Sequence, residues 1–166
     1  MSVAYDPSEW SDLFVAVAGA SAALLGLLFV AVSINLERIL SFEGLPERAL
    51  ETLLLLLGVL IVSIVGLMPG QSHVALGLEV LGIAGLVALV VLRLPETGAD
   101  ESGRTPTQWR VSRLGVRLIG TVPLLIGGLS LVVEAGGGLY WVAAGIVLAI
   151  LGAVANAWVL LVEILR

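Results

Sequence analysis

Three carboxylates stand where an apolar chain has little use for them. Asp12 opens a run that stays uncharged to Ile34, Glu79 lies inside the run Val74 to Leu92, and Glu134 closes the run that contains Pro123. An ionised carboxylate at bilayer depth is unfavourable by roughly 3 kcal/mol on insertion scales, so one that persists faces a cavity, a partner or its own proton. The chemistry available to Asp12, Glu79 and Glu134 is therefore cation or proton binding. The bland alternative is that Glu79 snorkels to the interface or is hydrogen-bonded in place.

Other chemistry has no residues to carry it. Cysteine is absent and His73 is the only histidine, which removes thiol catalysis and leaves no second imidazole for a metal. His73 falls in a short turn, where solvation is expected. No GxSxG elbow, HExxH pair or phosphate-cradling glycine loop is present. No pair of aspartates lies at membrane depth for intramembrane proteolysis. No enzyme, no cofactor and no metal are expected.

The elements that must position these carboxylates are membrane helices. Of 166 residues, 59 % are apolar and 13 % charged, where a soluble domain carries about 25 % charged residues. Five uncharged runs succeed one another, each of about 20 residues, enough to span roughly 30 Å of hydrocarbon at 1.5 Å per residue. The expected helices are 11–38, 47–68, 73–93, 112–133 and 139–164, with a polar loop at 95–110. They form one membrane domain, all-α, with no visible repeat. The run from Leu13 comes after acids rather than a basic segment, so it reads as a retained helix and not a cleaved signal.

All eight basic residues are arginines. Successive exposed segments hold none, then Arg38 and Arg48, none, then Arg93, Arg104, Arg110, Arg113 and Arg117, none, and finally Arg166. Basic residues mark the cytoplasmic side, so the amino terminus is expected outside and the carboxyl terminus in the cytoplasm. Pro123 and the glycines 136–138 make the fourth crossing the weakest of the five. Arg110, Arg113 and Arg117 are placed to meet anionic lipid headgroups. The acids Glu37, Glu43, Glu47, Glu51, Glu96, Asp100, Glu101 and Glu163 balance the arginines. That balance excludes a basic nucleic-acid surface. Asp6, Glu9, Asp12, Glu79 and Glu134 then carry the net charge of −5 on the outer face, where they would gather cations.

Small residues mark where helices meet in lipid. The first helix presents Ala16, Gly19, Ala23, Gly26, Val30 and Ser33 at alternating steps of three and four, with Asp12 and Glu37 continuing the line. The fifth presents Gly145, Ala149, Gly152 and Asn156, and the fourth repeats Arg113, Gly120, Gly127 and Glu134 every seven residues. Ala75, Glu79 and Gly82 share a face of the third. Asn156 and Asn35 are amides deep enough to join helices. Such seams serve packing within one chain or assembly of a homo-oligomer.

The stretch Gly26-Leu27-Leu28-Phe29-Val30-Ala31-Val32-Ser33-Ile34-Asn35 resembles the first helix of a group of uncharacterised small bacterial membrane proteins. The resemblance implies a membrane span and no particular activity. Ala23-Leu24-Leu25-Gly26 and the residues after it also resemble, faintly, the pore helix of the Orai calcium channels, with Asn35 where that family has a glutamate. That family has four crossings and a cytoplasmic amino terminus, against five and an external one expected here, so its selectivity is not carried over. The arginine-only, Ala- and Gly-heavy composition points to a prokaryotic genome and hence its cytoplasmic (inner) membrane. Three functions are consistent with these residues: a homo-oligomeric cation-permeable pore, a non-conducting scaffold binding another membrane protein, and a small transporter. The last is short for alternating access without inverted repeats.

Overall fold

The computed structural model describes residues 2–95 and 106–165, and the side chains of 106–114, 116, 117 and 163–165 lie outside that description. Among the described residues the chain is helical, with no strand. Two short 3₁₀ turns, Val3–Tyr5 and Pro7–Trp10, lead into α1 (Ser11–Ile34), α2 (Leu36–Ser41), α3 (Leu45–Gly66), α4 (His73–Arg93), α5 (Pro106–Val133) and α6 (Leu139–Leu165). Four of the helical segments are long and apolar enough to cross a membrane: Pro7–Ile34, Leu45–Gly66, His73–Arg93 and Leu139–Val162.

The boundaries reflect local chemistry. Asn35 interrupts the first helix: its Nδ2 donates to the Ala31 carbonyl at 2.9 Å, and α2 restarts at Leu36, so the single helix expected over 11–38 is two. Gly44, at φ 82°, makes the sharp turn into α3, with Pro46 in that helix's first turn, where a missing N–H is harmless. Ser72 caps α4 by accepting from Ala75 N at 3.2 Å. α5 is 28 residues long and begins at Pro106, so the end of the loop expected at 95–110 is helical. Pro123 lies buried inside α5 and does not end it. Among the described residues, the apolar segment within α5 is Leu118–Val133.

α3, α4, α5 and α6 form a ring in which α3 touches α4 and α6, and α5 touches α4 and α6, while α1 hangs on the outside of α3. Neighbours run antiparallel: Gly120 lies against Ala149 and Gly127 against Val142, and Phe14 at the start of α1 covers Gly66 at the end of α3. One end of the bundle therefore gathers Tyr5, Trp10, His73, Glu134 and Tyr140, the aromatic end. The other gathers Ile39, Leu45, Ala49 and Leu160, the arginine end.

Glycine sets the helix spacing. A Cβ on Gly77 would stand 2.8 Å from the Gly128 carbonyl oxygen, and one on Gly120 would stand 2.7 Å from the Ala149 Cα. In lipid, where apolar burial gives no drive for helices to associate, such backbone approach is what dispersion and close packing use. Within the described part of the ring a cavity of about 10 Å³ lies among Leu55, Val59, Ala84, Val87, Leu124 and Ala149. That is at most the room of a single water.

Candidate functional site

The carboxylates singled out in the sequence sit at the aromatic end but in separate settings. Glu79, on the second turn of α4, is half-buried and accepts from Gln71 Nε2. Glu134 comes directly after the last residue of α5 at φ 53°, a left-handed conformation that is unfavourable by roughly 1–3 kcal/mol for a residue other than glycine. Its Oε2 is 4.0 Å from His73 Nε2. Asp12 lies exposed on the first turn of α1, a helix packed on α3 rather than on α4 or α5. Among the described residues no group of three or more His, Asp and Glu is placed to hold a metal. Within the single chain, Glu79 is thus next to Gln71, Glu134 is next to His73, and Asp12 lies apart on α1.

His73 opens α4, where the expected helix 73–93 begins, but its side chain, expected to be solvated, is only 15 % exposed. The face Ala75, Glu79, Gly82 also differs from expectation: Gly82 is exposed, with open space around it, so that face does not run along a neighbour.

The rest of the aromatic end is a hydrogen-bonded strap. Trp10 Nε1 donates to the Val3 carbonyl at 2.8 Å, and Trp10 meets Tyr140 edge-on with ring centroids 4.8 Å apart. Gly137 N donates to Tyr5 Oη at 3.0 Å. Gly138 N donates to Ser130 Oγ at 2.8 Å, and that hydroxyl donates to the Ala135 carbonyl. Gly136, Gly137 and Gly138 all have positive φ, which explains the triple glycine: side chains there would be strained. The Ser8 hydroxyl, then its amide, donates to Asp6 and holds that carboxyl below its ordinary range.

The small-residue seams have different fates. On α6, Gly145 lies against Leu124, Ala149 against Gly120, and Gly152 is buried. These residues, with Gly120 and Gly127 on α5, hold the ring together. On α1 the line Asp12, Ala16, Gly19, Ala23, Gly26, Val30, Ser33 is exposed at every position, and Glu37, in α2 beyond the break, is exposed as well. Nothing lies within 4 Å of a Cβ placed on Gly19 or Gly26. The opposite face carries the contacts with α3, through Phe14, Val17, Ser21, Leu25 and Leu28. The side chains of Arg110, Arg113 and Arg117, expected at lipid headgroups, lie outside the described residues.

One pair is not foreseeable from local sequence. Glu51 of α3 is 2 % exposed, and Asn156 Nδ2 of α6 donates to its Oε1 at 3.3 Å. Glu51 stands one turn beyond Glu47 in the first turn of α3, so it reads as a second charge at a helix start. Yet it shares a stripe with Leu55, Val59 and Val62, all buried, and that periodicity is the signal for it. A carboxylate inside a bundle is held there only by donors, and Asn156 supplies one. Asn35, by contrast, donates to Ala31 of its own helix and, among the described residues, to no other helix.

A helical bundle with several membrane-length apolar helices is the class these features define. No protein-family model, curated protein or solved structure matches the chain.

Proposed function

We propose that the chain is a five-crossing protein of a prokaryotic cytoplasmic membrane, amino terminus outside, whose copies associate through α1 and pass cations between them. The observation that carries this reading is the exposed line from Asp12 to Ser33, with Glu37 exposed beyond the break. Small residues at steps of three and four allow two helices to approach closely in lipid. α5 and α6 use the same spacing inside the ring, and α1, with α3 as its helical neighbour, leaves it unused. The fifth crossing is supported by α5 lying antiparallel to both α4 and α6, with a length of about 42 Å at 1.5 Å per residue. The arginine end then faces the cytoplasm.

Conduction belongs between copies because the space among Leu55, Val59, Ala84 and Leu124 inside a single chain amounts to about 10 Å³, too little for a hydrated ion. Asp12 at the outer end of the line and Glu37 beyond its inner end would place a ring of carboxylates at each mouth, where they raise the local cation concentration. A second reading has its own support: between Asp12 and Ser33 the line has no polar side chain. An apolar seam of that kind seals tightly and suits a non-conducting scaffold that binds another membrane protein.

Protein reconstituted in liposomes under a cation gradient separates the two. The pore reading expects cation flux that falls several-fold in Asp12→Asn at low ionic strength, where charge at a mouth is least screened. Liposomes that stay tight at every voltage and pH leave the scaffold.

A further inference from the structure

An open apolar groove of about 500 Å³ runs between α1 and α3, with Ala22, Gly26 and Phe29 on one wall and Leu50, Leu54 and Leu57 on the other. Ala22 and Gly26, one turn apart, leave the space: nothing lies within 4 Å of a Cβ placed on Gly26. Along α3 the groove reaches from Leu50 to Leu60, about 15 Å at 1.5 Å per residue. That is half of a hydrocarbon core of about 30 Å, the depth of one leaflet.

At the arginine end the same stripe of α3 carries a charge. Glu47 stands three residues before Leu50 and seven before Leu54, so it continues the groove's face one turn nearer the helix start. Its Oε2 is enclosed and makes no hydrogen bond, while the residue as a whole is half-buried. The positive end of the α3 dipole accounts for a carboxylate in that first turn. It does not account for an oxygen shut away from water with no donor, which is unfavourable until a donor arrives.

We propose that the groove holds an acyl chain of a phospholipid with a primary ammonium head, and that this ammonium donates to Glu47. A primary ammonium brings both a positive charge and N–H donors. A trimethylammonium head has the charge and no N–H, and a glycerol head has hydroxyl donors on a lipid of negative charge. From Leu36 to Arg48 the acids Glu37, Glu43 and Glu47 outnumber Arg38 and Arg48, so an anionic lipid is disfavoured at this end. The assignment needs the apolar helices to lie in a bilayer, and needs neither assembly nor conduction. Gly26 borders both the groove and the exposed seam of α1, whereas Glu47 and Leu57 lie on α3 and away from that seam.

Native mass spectrometry of the full chain, offered phosphatidylethanolamine, phosphatidylcholine and phosphatidylglycerol with identical acyl chains, reads the choice directly. The wild type is expected to retain phosphatidylethanolamine about tenfold over the other two, the worth of one charge-assisted hydrogen bond. Glu47→Gln should bring the three to parity at an unchanged melting temperature. Leu57→Trp, which fills the groove from its exposed side, should lower retention of all three. Equal or no retention by the wild type, preference for the anionic lipid, or a phosphatidylethanolamine preference that survives Glu47→Gln would overturn the assignment. A folded Leu57→Trp that holds the lipid as before would do the same.

Discussion

Gly77→Leu is expected to prevent the chain from folding, whereas Gly82→Leu on the same helix is expected to behave as wild type. Any Cβ on Gly77 would stand 2.8 Å from the Gly128 carbonyl oxygen, 2.9 Å from Leu131 Cβ and 2.9 Å from Val132 Cγ2. The first of these is backbone and cannot turn aside. The approach is reciprocal, since a Cβ on Gly128 would be 2.9 Å from the Gly77 oxygen. Overpacking a core is unfavourable by about 1–3 kcal/mol when side chains can adjust. Here α4 and α5 must separate along their length, which forfeits the dispersion contacts of the whole interface. Gly82 has open space where a Cβ would go, and both changes replace glycine with the same helix former. Size-exclusion profiles and thermal melts of the two variants in detergent therefore isolate the contact. Equal behaviour would mean that α4 and α5 are not packed at Gly77.

Gly19→Leu combined with Gly26→Leu is expected to leave the fold intact and dissolve the assembly. Neither position has an atom within 4 Å of an added Cβ, so the single chain gains no clash. Two leucines on the seam would hold a partner helix several ångströms farther away and remove the close approach on which association in lipid depends. Native mass spectrometry should show a multiple of 17.2 kDa for the wild type and one chain for the double variant, with the same melting temperature. A monomeric wild type would end both the pore and the self-assembly readings.

The two glycine experiments also show how far residue spacing alone can reach. Spacing identifies Gly120, Gly127, Gly145, Ala149 and Gly152 as contact residues, and it identifies Ala16, Gly19, Ala23 and Gly26 in the same way. It cannot separate the two sets, because the residues are alike and the difference lies in α1 hanging on the outside of the ring. The long apolar helices are legible because lipid demands them. The break at Asn35 is not, since an amide that bonds its own helix looks like one that joins two. Local charge reasoning places Glu51 at a helix start, while its burial against Asn156 depends on a helix about a hundred residues away. The same limit applies to His73. A lone histidine beside a Pro-Gly turn reads as solvated, and its neighbour Glu134 lies at the end of α5. Asp12, Glu79 and Glu134 stand out as unusual in an apolar chain, but the neighbours of Glu79 and Glu134 are Gln71 in the turn before α4 and His73 at its first residue, not one another.

The threading of the chain is the claim on which the pore, the charge map and the inner and outer ends all rest. The absence of cysteine makes it directly measurable with single cysteines at Ser8 and Ser41, both exposed and at opposite ends of the first helical pair. In intact cells, a membrane-impermeant maleimide is expected to label Ser8→Cys at once and Ser41→Cys only after the membrane is opened. Labelling of both from the same side, or of Ser41→Cys alone, would contradict the account.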